Sequence, residues 1–165
     1  MQAQLAAWFD GALWFWIAAA AVWWRVCAAT LGVPNDLMLR ALRDSEDAAL
    51  FERLARRNVA TAAAGARRGG VAAAALAGFM LTFLAAYAWL ARSGAAAGGF
   101  VILGPLTLHA VWTARAALAL DGAQPDADAL LRRFRALRTQ AFAAALTSLG
   151  LAAIIRAAAR ASALG

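Results

Sequence analysis

Apolar residues gather into four stretches along the chain, 8–31, 71–91, 100–120 and 139–158, each with few or no charges. A helix needs about 20 such residues to cross the hydrocarbon of a bilayer. None of the stretches alternates apolar and polar positions, which argues against a transmembrane barrel. A segment in lipid must satisfy its own backbone polar groups, and helix does so. The expected fold class is an all-α integral membrane protein. It has four transmembrane helices in a bundle, a single membrane domain over 1–165, and a cytoplasmic helical segment between helices one and two.

The polar links refine this layout. In the first, 32–70, Asp36 follows Pro34-Asn35 and fits a helix start. Leu39, Leu42, Ala49, Leu50 and Leu54 form an apolar stripe at helical spacing. The link therefore predicts a helix that lies on the membrane surface or extends the second span, with a bend at Gly69-Gly70. The second link, 92–99, is short and small, which makes helices two and three antiparallel neighbours. In the third, 121–138, Pro125 or Asp126 starts a helix with acids in its first turn, as the helix dipole favours. That helix is expected to run unbroken into the fourth span.

Trp8 and Phe9 at one end of the first stretch, and Trp23, Trp24 and Arg25 at the other, read as interfacial belts. Asp10 and Arg25 then snorkel to the headgroups, and Trp14, Phe15 and Trp16 lie inside the membrane, facing lipid by default. The stretch lacks the basic leader of a signal peptide and reads as a retained helix.

Composition supports the same class. The chain is 64% hydrophobic and 15% charged, against roughly 45–50% and about 25% in soluble domains. A single cysteine, Cys27, excludes a disulfide scaffold. Ala and Gly make up about two-fifths of the residues, which suits close helix contacts in lipid and equally a GC-rich coding bias. All 16 basic residues are Arg, and the net charge is +7. Because these charges flank apolar spans, their counter-charge is expected to be anionic lipid headgroups and not nucleic acid. Seven Arg fall in the first link and four in the third, against one in the second. The positive-inside rule places the Arg-rich links in the cytoplasm and both termini outside, with Arg156 and Arg160 on the far side. The expected location is a bacterial inner membrane.

Few residues offer chemistry. His109, the only histidine, lies in the third span beside Gly104-Pro105. Ionisable groups inside a membrane are costly and so are functional candidates. His109 fits one face of a chlorophyll magnesium or a haem iron, or a neutral histidine hydrogen-bonded to a neighbouring helix. Metal-ligating clusters are not expected. No Asp or Glu sits mid-span, which argues against a proton- or sodium-coupled transporter. Pro105 should loosen the third helix, with Thr107, His109 and Thr113 near the freed carbonyls. Small residues recur four apart at Ala74, Gly78, Thr82 and Ala86 in helix two, and at Ala144, Ser148 and Ala152 in helix four. Both faces suit close helix packing. The Arg clusters have three uses: topology and headgroup contact, docking of an acidic partner, or binding of an anionic small molecule through forked guanidinium donors.

The stretch Leu54-Ala55-Arg56-Arg57-Asn58, leading into helix two, resembles the Arg-Ala-His-x-Asn motif of the MAPEG superfamily (membrane-associated proteins in eicosanoid and glutathione metabolism). Ala55 and Asn58 agree; Leu54 replaces the Arg, Arg56 replaces the His, and Thr61 stands where the family often has Glu. Leu137-Arg138-Thr139-Gln140-Ala141-Phe142 resembles that family's approach to its fourth helix, and Leu108-His109-Ala110 a segment of its third. The third link is longer than the family's. The resemblance implies a trimer that binds glutathione between subunits, with Asn58, Arg57 and Arg138 as contacts to the thiol cofactor.

The functional expectation is a structural or accessory transmembrane subunit of a larger membrane complex, more consistent with a non-enzyme, packed against other membrane subunits or copies of itself. The alternatives are a MAPEG-like glutathione-dependent enzyme and a pigment- or haem-binding protein using His109.

Overall fold

The strongest punctuation in the chain comes where the first apolar stretch meets the polar link, and the fold turns sharply there. The computed structural model describes residues 13–91 and 93–161, apart from the side chains of 159 and 160. Its elements are α1 (Leu13–Ala28), β1 (Ala29–Thr30), β2 (Val33–Pro34), α2 (Asn35–Arg40), α3 (Ser45–Leu90), α4 (Gly94–Ala123) and α5 (Ala127–Ala161). Three helices, α3, α4 and α5, are long and apolar enough to cross a membrane, whereas the 16 residues of α1 form a shorter apolar helix. Trp8, Phe9 and Asp10, expected at one interface, lie outside the described residues.

Helix α1 stops at Ala28, three residues short of the expected 31. Leu31 (φ 49°) and Gly32 (φ 74°) both adopt left-handed backbone conformations. They join β1 to β2 as an antiparallel hairpin, with Ala29 opposite Pro34 and Thr30 opposite Val33. Two successive positive φ angles make the tight turn whose twist matches paired strands. Asn35 clasps the hairpin. Its Nδ2 donates to the Cys27 carbonyl, and its Oδ1 accepts from the Thr30 hydroxyl at 3.3 Å. A β-carbon on Gly32 would stand 3.1 Å from Asn58 Nδ2. Gly32→Ala is therefore expected to cost ~1 kcal/mol through backbone strain and crowding. Denaturation in detergent micelles reads this directly, and unchanged stability would refute the turn as described.

Most of the first link is helical: α2 covers Asn35–Arg40, and α3 runs from Ser45 on through the second apolar stretch. Asp44 Oδ1 accepts from the Glu46 amide at 3.1 Å and separates α3 from α2. That break shifts the helical phase, so the anticipated stripe does not form one face. Leu39, Leu42, Ala49 and Leu50 are exposed, while Phe51, Ala55, Val59 and Ala63 are buried at every fourth position. Helix α3 has 46 residues, about 70 Å at 1.5 Å per residue. Its helical assignment continues through Gly69 and Gly70. Ser93 Oγ accepts from the Ala96 amide at 3.3 Å and starts α4. Asp126 caps α5, its Oδ1 accepting from the Ala129 amide at 2.6 Å, with Asp128 in the first turn. From there α5 continues unbroken through the fourth apolar stretch, as expected.

The chain divides into two compact units. Among the described residues, the first comprises those up to Trp23, those within Ala75–Leu108, and those from Ala143. Here Phe15, Val101 and Ala152 are buried together beneath Trp16, Ile102 and Ile155. Phe15 thus packs inward, not toward lipid. Trp23, at 3% exposure, is likewise an interior residue and not an interfacial anchor, whereas Trp24 remains 79% exposed. The small face of α5 is used for packing: Ala144, Ser148 and Ala152 are all buried. Pro105 has no amide proton, so the Val101 carbonyl one turn earlier loses its helical donor. Ser148 Oγ donates to that carbonyl at 2.9 Å across the helix interface. The freed acceptor is thus satisfied from α5, not by the nearby Thr107, which donates to Leu103 O at 2.7 Å.

The second unit comprises Trp24–Ala74 and His109–Phe142. Its core is Val33, Leu37, Met38, Phe51, Leu130 and Phe134, with Ala55, Val59 and Leu120 completing the cluster. Phe51 and Phe134 meet edge to face, centroids 5.4 Å apart and planes at 81°. Arg56 ties α3 to the turn before α5. Its guanidinium donates to Glu52 at 2.7 Å and to the Pro125 carbonyl at 2.9 Å. Arg67 pairs with Asp121 at 2.9 Å.

Candidate functional site

His109 sits half-buried on α4. Its partner among the described residues is Thr113, one turn along the same helix. The Thr113 hydroxyl donates to the His109 carbonyl at 2.8 Å, and its oxygen lies 3.5 Å from His109 Nε2. Nδ1 is buried and has no partner among the described residues. Trp112 is exposed on the same helix. Among the described residues, no three His, Cys, Asp or Glu side chains come together as a metal site.

The residues implied by the MAPEG resemblance go to different places. Asn58 is half-buried and abuts the Gly32 turn, and Arg57 points to the exposed side of α3. Arg138 lines a groove of about 320 Å³ between α2 and α5, together with Met38, Leu39, Leu42, Arg135, Thr139 and Phe142. Arg57 and Asn58 do not line it.

This groove is built by helical spacing. Arg135, Arg138, Thr139 and Phe142 follow one another at three- and four-residue steps and so share one face of α5. Met38 is buried in the core and anchors the opposite wall, while Leu39 and Leu42 stand exposed at its rim. The Arg138 guanidinium lies over the Phe142 ring, 5.5 Å from its centroid, a cation–π contact that fixes the side chain and leaves its N–H edge available. Arg135 and Arg138 make no ion pair among the described residues, whereas Arg40, Arg56 and Arg67 do. The sequence shows Arg135 and Arg138 as part of an Arg cluster and Leu39 and Leu42 as part of an apolar stripe, but not that the two meet, because the pairing of α2 with α5 is tertiary.

A second, smaller groove of about 220 Å³ is lined by Arg56, Val59, Ala60, Leu120, Asp121, Gln124, Pro125 and Leu130. Its cation is already neutralised by Glu52. In the first unit, an apolar groove of about 330 Å³ runs past Ala85, Ala88, Trp89, Ala97, Phe100, Val101 and Ile155.

No family model, curated protein or solved structure matches this chain.

Proposed function

We propose that this protein is an integral membrane subunit with four spans, α1 completing the set, which packs against other membrane helices in a larger assembly. The Arg-rich links face the cytoplasm of a bacterial inner membrane and the termini lie outside. The observation that carries the reading is the contrast between the two small-residue faces. The face of α5 is buried within the chain, but Ala74, Gly78, Thr82 and Ala86 of α3 are exposed. None of the most apolar stretch of α3 is buried within the chain. Phe79, Phe83 and Tyr87 stack along the same exposed length of helix at centroid spacings of 6.5 and 5.9 Å. In lipid there is no hydrophobic drive between helices, so close backbone approach at small residues is what association uses. An exposed strip of this kind supports a partner helix from another subunit or a second copy.

The test is purification from native membranes in mild detergent, followed by mass analysis of the intact particle. We expect a co-purifying chain or a homo-oligomer, lost on Gly78→Leu, which places a bulky side chain in the middle of the strip. A particle of monomer mass from native membranes would overturn the proposal.

A further inference from the structure

We propose that the groove between α2 and α5 holds one anionic phospholipid, with Arg135 and Arg138 gripping its phosphate and an acyl chain lying along Leu42 and Phe142. The inference rests on the membrane reading above and adds a specific ligand to it.

Three independent features converge on this occupant. The first is unbalanced charge. Two guanidiniums one turn apart share the groove with no acidic partner among the described residues. Like charges at this spacing repel, and a phosphate between them replaces repulsion with two charge-assisted, forked hydrogen-bond sets. The second is the wall chemistry. Met38, Leu39, Leu42 and Phe142 supply apolar surface, and Thr139 is the only uncharged polar side chain in the lining. A sugar or nucleotide would need several further donors and acceptors to orient it; a phosphate with a hydrocarbon tail needs none. The third is position along α5. Arg132, Arg133, Arg135 and Arg138 precede the groove's apolar end, and no charged residue follows until Arg156. The groove thus spans the point where this helix changes from a headgroup environment to a hydrocarbon one, which is the polarity profile of a phospholipid. Its volume of about 320 Å³ accommodates a phosphate and the first part of a chain, the rest of the lipid remaining in the bilayer.

The full-length protein, purified in mild detergent and stripped of lipid, would be titrated with phosphatidylglycerol or phosphatidylcholine of identical acyl chains, and retained lipid counted by native mass spectrometry. We expect one phosphatidylglycerol bound about tenfold more tightly than phosphatidylcholine: both carry the phosphodiester, but the choline cation cancels the net charge and is repelled by the two guanidiniums. The double variant Arg135→Gln/Arg138→Gln should lose that preference, and Arg132→Gln/Arg133→Gln should keep it. Because Arg135 is exposed, Arg135→Gln alone gives a folded variant in which a partial loss is expected, should the double variant not fold. Millimolar inorganic phosphate should not displace the lipid. Equal retention of both lipids, an undiminished preference in the Arg135 and Arg138 variants, or displacement by free phosphate would overturn the proposal. Alkaline carbonate extraction reads the membrane assignment separately. Release of the protein from membranes defeats that assignment, whereas retention with no lipid preference defeats the groove proposal alone.

Discussion

Phe134→Ala is expected to lower the stability of the second unit by ~3–5 kcal/mol, the usual range for deleting a fully buried aromatic ring. Phe134 is 0% exposed and supplies the edge-to-face partner of Phe51 in a cluster with Leu37, Met38 and Leu130. Removing the ring forfeits both the burial and the aromatic contact and leaves a cavity that flanking helices fill only in part. Phe142→Ala, on the same helix but 44% exposed, is the control and should cost far less. Unfolding driven by sodium dodecyl sulfate in mixed micelles, followed by tryptophan fluorescence, measures both. The loss has a local signature as well. Helix α2 has 6 residues, too few to persist without tertiary support, and it is held by Leu37 and Met38 in this cluster. Trypsin should therefore cut at Arg40 and Arg43 faster in Phe134→Ala than in the native chain. A cost under ~0.5 kcal/mol, the scale of an ordinary surface change, would show that this cluster is not the core.

The second large effect concerns Pro105 and Ser148. Ser148→Ala should destabilise the first unit by ~1.5 kcal/mol, because it leaves the Val101 carbonyl, already deprived of its helical amide, with no donor. Pro105→Ala restores an amide at that point in α4. In the Pro105→Ala background Ser148→Ala should therefore be close to neutral, and the difference between the two measurements is the coupling. The same denaturation assay applies. Equal costs in the two backgrounds would show that Ser148 acts by packing alone and that the proline's vacancy is met elsewhere.

How far these features were legible depends on whether the signal was local. Three long apolar helices were readable because burying or lipid-solvating so much hydrocarbon leaves the backbone no alternative, and the caps at Asp126 and the acids after it are local chemistry. The hairpin over Ala29–Pro34 was invisible, since its two-residue strands hide inside an apolar run and Leu31 is not a residue type that advertises positive φ. The buried face of α3 was missed because a break at 41–44 resets the helical phase, and a stripe drawn across that break mixes two helices. Residue type alone places Trp23 at an interface; tertiary packing turns it inward. Pro105 was legible as a carbonyl in need of a donor; Ser148, 47 residues away, was legible only as part of a small face. Of the site, the Arg cluster and the Leu39 and Leu42 positions are each visible in the sequence, but their meeting is not, because no local pattern links α2 to α5.

Helix α3 carries one further implication. Gly70, Ala74, Gly78, Thr82 and Ala86 follow at four-residue steps, and a β-carbon at Gly65, Gly69, Gly70 or Gly78 would meet nothing within 4 Å. Crowding within this chain is therefore not what requires glycine there. Glycine at two of these positions and short side chains at the other three make a low track several turns long. A rod laid along it could ride closer than the 8–10 Å axis separation of ordinary packed helices, near enough for Cα–H groups to touch the carbonyls of the opposing strand of backbone.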